Sequence, residues 1–140
     1  LKDRDIGKRY GKWADDRSYD PEKLIFRHWF INDEDENIAK QLMHYFEAVS
    51  RRWPTAWAEI KPGNMLPRSN GFRAFMSFLR PAYNNLKTTD FVKMSEFLQL
   101  FEKIDLKDSD FNTETFVPGS SGESKLLKTL MDLSGLSDYD

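Results

Sequence analysis

The stretch NDEDENIAKQLMHYFEAVSRRWPTAW (Asn32–Trp57) carries the clearest period in the chain. Ile38, Leu42, Tyr45, Phe46, Val49 and Trp53 recur at steps of three and four residues, which puts them on one face of an α-helix. The start is well marked. Asn32–Glu36 supplies capping residues and an acidic first turn, and Asp33 with Glu36 has the spacing of a capping box. Arg51 and Arg52 fall in the last turn, where cations suit the negative end of the helix dipole. Pro54 then stops the helix or opens a new turn, and Trp57 extends the apolar face by one step. Trp53 and Trp57 read as core anchors rather than as a ligand-stacking cage.

Three further segments have the same character. Ser69 or Asn70 caps a helix carrying Phe72, Phe75, Met76 and Leu79, with a break expected at Pro81. After the turn Asn84–Asp90 comes a strong amphipathic pattern of Phe91, Met94, Phe97, Leu98, Phe101 and Ile104. The polar stretch Asp105–Thr115 reads as a loop. A last helix runs to about Leu133, with Gly135 as its C-terminal cap. On the N-terminal side, Lys23–Ile31 is short and rich in aromatic and branched residues, so a short strand is expected near residues 24–31. Residues 1–23 show no clean period and read as an irregular lead-in. The expected fold is mainly α: a small bundle of about four helices, forming one domain over residues 24–140.

Composition narrows the chemistry. The 140 residues include 11 Phe and 4 Trp, enough for an aromatic core, while 31% are charged, as a wet surface requires. There is no cysteine, which removes disulfides, thiolate nucleophiles and Cys-based metal sites. No apolar run approaches the ~18–20 residues of a membrane span. The chain opens on Leu1 followed by polar residues, and so reads as a piece of a longer protein, with the cytoplasm as its expected compartment.

One stretch imitates a nucleotide-binding loop. FVPGSSGESKLLKTLM (Phe116–Met131) runs glycines, serines and a lysine into a helical pattern. A P-loop needs four residues between its glycines and a Lys-Ser/Thr pair after the second. Here Gly119 and Gly122 are too close, Glu123 follows, and no apolar strand precedes them. The serine-hydrolase elbow also fails, because Glu123 stands where its last glycine belongs. Ser120 and Glu123 instead have capping-box spacing ahead of Leu126, Leu127, Leu130 and Met131. The open amides of Ser120, Ser121 and Gly122 form a candidate anion site. The two histidines, His28 and His44, lack metal-site spacing and read as packed or surface residues. Neither a cofactor nor a metal is expected, no catalytic residue stands out, and an enzyme is the less favoured class.

Charge is unevenly distributed. Residues 61–90 hold five basic and one acidic residue, whereas residues 91–140 hold five basic and ten acidic. Arg73 and Arg80 lie seven apart, on one helix face. With Arg51, Arg52, Lys61, Arg68 and Lys87 they form a candidate nucleic-acid-binding set, weighed against an ordinary solvated face.

Three segments taken together resemble a known family: YFEAVSRRWPTAWAEI (Tyr45–Ile60), MLPRSNGFRAFMSFLR (Met65–Arg80) and FVPGSSGESKLLKTL (Phe116–Leu130). They are similar to the C-terminal part of DGQHR-domain proteins, a bacterial group that includes the DndB-like proteins of DNA phosphorothioation systems. The likeness covers roughly 38–80 and 110–133. The D-G-Q-H-R string itself is absent from this chain. The resemblance implies a helical domain of a DNA-modification-associated protein, acting as a DNA-binding regulatory module. The alternative is a packing or dimerisation module without nucleic-acid contact, its partner being a missing N-terminal domain or a second copy.

Overall fold

A computed structural model describes residues 20–21, 23–58, 69–87, 91–117 and 119–136. These residues form helices α1 (Arg27–Ile31), α2 (Asp35–Arg52), α3 (Pro54–Ala58), α4 (Ser69–Leu86), α5 (Met94–Glu102) and α6 (Ser120–Ser134), with a 3-10 turn at Asp108–Asp110. No strand occurs among them, and the fold is mainly α as expected. None of these helices is long and apolar enough to cross a membrane. The chain divides into two compact units, Leu1–Lys40 and Gln41–Asp140. The division falls inside α2.

In the first unit the expected strand near residues 24–31 is corrected to a helical turn, α1. Leu24–Ile31 has no alternation of apolar and polar side chains, and its backbone groups close local bonds such as Phe30 N–H to the Phe26 carbonyl (3.1 Å). Trp29 is buried, stacked with Phe26 at 5.4 Å. Helix α2 begins at Asp35, so Glu34 rather than the expected Asp33 directly precedes it. Asp33 takes a left-handed φ of 60° between α1 and α2, and Glu34 accepts from the Asn37 side chain.

The second unit is held by α2 and α5 side by side. Their buried faces are aromatic: Tyr45 meets Phe97 and Phe101 edge-on at 5.0 and 5.7 Å. Trp53 is fully buried and contacts Phe75 of α4, Phe101 of α5 and Phe111 beyond the 3-10 turn, all within 5.6 Å. One indole thus joins three separate segments, each contact adding to the area burial.

Polar groups of α2 set the position of α5. The Gln41 amide is completely buried and bonds both backbone groups of Val92, accepting from its N–H (2.8 Å) and donating to its carbonyl (2.7 Å). His44 Nδ1 accepts from the Met94 N–H at the first position of α5 (3.0 Å). At the other end, the Arg52 guanidinium donates to the carbonyls of Phe101, Ile104 and Leu106 at 3.1, 2.8 and 3.2 Å. These carbonyls lie at and just beyond the α5 C-terminus, where intrahelical partners run out and negative charge gathers. The Trp53 indole N–H adds a fourth bond, to Leu106 (2.8 Å). Residues 41, 44 and 52 thus meet 92, 94 and 101–106 in the same order, so the two helices run in the same direction.

Two prolines behave differently from one another. Pro54 opens α3 at its first position, where no N–H is needed, and the Asp108 carboxylate accepts from the Ala56 N–H (2.9 Å) in that short helix. Pro81 does not break α4, contrary to expectation. Its ring costs a bond to the Ser77 carbonyl, but Ser77 is exposed, so the lost bond falls on the solvent side of the helix. Beyond the proline, Ala82 and Tyr83 are buried and carry the helix on. The packing of α4 against α6 is the most extensive between helices of this unit. Gly135 closes α6 in the left-handed region (φ 79°), with Leu136 N–H bonded to the Met131 carbonyl as expected of a glycine cap.

The buried Tyr45 hydroxyl donates to the Phe75 carbonyl of α4, and burial raises its pKa well above that of an ordinary tyrosine. Below the ordinary value of about 10 the neutral phenol is present in both states. Above it, the unfolded chain releases the proton and the folded one does not. Stability therefore falls as pH rises past 10. Urea unfolding between pH 8 and 11 is expected to show this loss, with a smaller slope in Tyr45→Phe. Equal slopes in the two proteins would contradict the assignment.

Candidate interaction surface

The basic residues picked out by sequence separate into three groups. Arg52 is withdrawn from solvent by its three carbonyl bonds and by packing over the Trp53 ring at 5.0 Å. It is a structural clamp. Arg51 is exposed but paired with Glu47 one turn earlier on α2 (2.9 Å). Lys87 lies over the Tyr83 ring at 5.6 Å, at the end of α4. Arg73 is exposed and Arg80 half-exposed on the same side of α4, and neither has an acidic partner among the described residues. Lys61 and Arg68 lie outside the described residues. The structure thus brings together Arg73 and Arg80 and assigns Arg52 elsewhere.

Between and beside these arginines lies an apolar surface that periodicity assigned to the core. Phe72 and Met76 remain 46% and 38% exposed on α4, and Met43 of α2 is 72% exposed. Helix α4 buries Ala74, Phe75, Phe78 and Leu79, so its core face is rotated away from Phe72 and Met76. The small Ala74 was the hidden signal: it lets the helix approach closely on that side. Phe72 stacks nearly parallel on Phe46 (5.1 Å, 9°), and Phe46 stacks on Trp57 (5.8 Å, 28°). Three aromatic rings from α2, α3 and α4 form a continuous shelf. Met43 lies one turn before Phe46 on α2, and Met76 one turn after Phe72 on α4.

The candidate anion site at the start of α6 has a different logic. Ser120 is the first helical residue, not the cap, so the expected Ser120–Glu123 capping box is absent. Gly119 occupies the cap position with φ 103°, which side chains rarely adopt. Ser120 and Ser121 face solvent, but Gly122 is buried, and a Cβ there would sit 1.7 Å from the Val117 carbonyl oxygen. The lysine of the stretch is also occupied. Lys125 Nζ donates to the Thr115 carbonyl (2.8 Å) and lies over Phe116. Gly119, Gly122 and Lys125 thus close the turn onto α6, while Ser120 and Ser121 remain exposed.

No group of His, Asp and Glu among the described residues is arranged to hold a metal. A surface depression lined by Leu86, Glu96, Gln99, Leu100 and Lys103 holds about 170 Å³, below the several hundred typical of a small-molecule site. Comparison with protein-family models, with curated proteins and with solved structures finds no match.

Two substitutions distinguish structural from surface roles. Arg52→Met leaves three carbonyls without their charged donor and is expected to cost about 2–4 kcal/mol in urea unfolding. Arg73→Glu, on the open face, is expected to change stability by less than about 0.5 kcal/mol. Similar costs for the two would contradict the division. Gly122→Ala drives a methyl into the Val117 backbone and is expected to cost about 2 kcal/mol or more. An unchanged melting temperature would show that the close approach is absent.

Proposed function

We propose that the unit Gln41–Asp140 is a protein-interaction module that docks a partner through the shelf of Phe46, Trp57 and Phe72, extended by Met43 and Met76. The observation that carries this is a stacked aromatic trio, with Phe72 exposed and Phe46 and Trp57 half-buried behind it, flanked by the exposed Met43 and Met76. Aromatic, Met and Arg side chains are the types that concentrate at interfaces, and stacked rings lose little freedom on binding. Methionines adapt their shape to a partner at small cost. The module acts by binding and carries out no chemistry of its own.

A second reading is favoured by Arg73 and Arg80. Both lack an acidic partner among the described residues, and they share one face of α4. In the setting that the DGQHR and DndB-like resemblance implies, they would contact the backbone of duplex DNA. Arg52 adds nothing to that contact, which leaves it with few cations and a weak salt dependence.

A photo-crosslinking amino acid placed at position 72 tests the first reading in cells that make the protein. A discrete protein adduct is expected there, and none from the same probe at the exposed position 128 of α6. If position 72 yields no protein adduct, while the purified protein retards duplex DNA and loses this on joint Arg73→Glu and Arg80→Glu substitution, the second reading replaces the first.

A further inference from the structure

The chemistry of the shelf points to the chemistry of its partner. Over its 18 residues α4 carries no Asp or Glu, so the helix itself offers only neutral and cationic groups along its open face. Arg73 and Arg80 flank Met76 on that face. The nearest acid on the α2 side, Glu47, is already paired with Arg51. An apolar strip edged by unpaired cations is complementary to an apolar strip edged by acids.

Spacing adds a second constraint. Seven residues of helix separate Arg73 and Arg80, about 10 Å along the axis. A helix lying alongside α4 offers the same interval between acids at i and i+7, with an apolar residue at i+3 or i+4 facing Met76. A peptide that docks by β-strand addition needs an open strand edge, and no strand occurs among the described residues. Nucleic acid fits less well. A tract of phosphates calls for a continuous row of cations. Here exposed ring and thioether groups lie beside the cations, and among the described residues of α4 the arginines on this face are Arg73 and Arg80.

We propose that this face binds an acidic amphipathic helix of a partner protein, with carboxylates two turns apart engaging Arg73 and Arg80 and apolar residues seated on Phe72, Phe46 and Met76. This rests on the reading of the shelf as a protein-docking surface, and adds the sign and spacing of the partner's charges.

The test is selection of 16-residue peptides from a random phage-displayed library on the immobilised protein. Binders that also bind a Phe72→Ser, Met76→Ser protein are removed. Both replaced side chains are exposed, and the variant's fold is checked by its circular dichroism melt. The expected result is enrichment of helical sequences with acids seven apart and apolar residues between. Joint Arg73→Glu and Arg80→Glu substitution should weaken the selected peptides at least tenfold, and replacing the peptide acids by Lys should recover binding to that variant. Selected peptides that are neutral or basic, or indifferent to the arginine reversal, would overturn the acidic-helix inference and leave the docking surface standing. If no peptide depends on Phe72 and Met76, both fall. Phe72-dependent binding of a 20-base-pair DNA or of phosphatidylserine vesicles in place of peptides would likewise reject both.

Discussion

Helix α5 has nine residues and is too short to hold itself in water, so its two ends must be satisfied from elsewhere. Both partners come from α2, about fifty residues earlier. His44 accepts from the first helical amide of α5, while Arg52 gathers the carbonyls at and beyond its last turn. Gln41 fixes Val92, two residues before its first turn. With these three side chains in place, α5 is pinned in direction and in register against α2. Trp53 then fills the space that the pair encloses and extends the contact to Phe75 and Phe111. That indole thereby ties α4 and the segment after the 3-10 turn to the α2–α5 pair.

The same arrangement explains the surface. The side of α2 that carries Gln41, Tyr45, Ala48 and Val49 is turned inward. Met43 and Phe46 are thereby turned to the edge, where Phe72 and Trp57 meet them. The aromatic shelf is therefore a product of how the core is oriented, and it is held by helices whose positions are set by buried polar bonds. A binding surface built on such a frame has little rearrangement to undergo when a partner arrives.

Much of the helical content was legible from periodicity. Asp35–Arg52, Met94–Glu102 and Ser120–Ser134 lie close to the expected helices, and Gly135 caps the last of them. The core face was read less well, because a period counts large apolar residues and overlooks Gln41, Ala48 and Ala74. Gln41 is buried because two backbone groups need it, a demand set by a segment 51 residues away. Arg52 illustrates the same gap. Position in a last turn announced a solvent-facing cation, but only the folded chain places three open carbonyls within its reach. Lys23–Ile31 failed for the converse reason: among the described residues its β-prone side chains have no strand to pair with, and local helical bonds won. For the surface, Arg73 and Arg80 were visible as a seven-residue pair, whereas the Phe46–Phe72 stack depends on two helices meeting and leaves no mark in either segment alone.

The frame of α2 around α5 is tested most directly by hydrogen exchange, followed by NMR at the Trp53 indole N–H and the Met94 amide. The first donates to Leu106 and the second to His44, so together they report on both ends of the clamp. If α2 holds α5 as described, both protons exchange only as slowly as the most protected amides of the α5 interior, by global unfolding. Exchange of either proton at the rate of an exposed site, while the α5 interior stays protected, would contradict it.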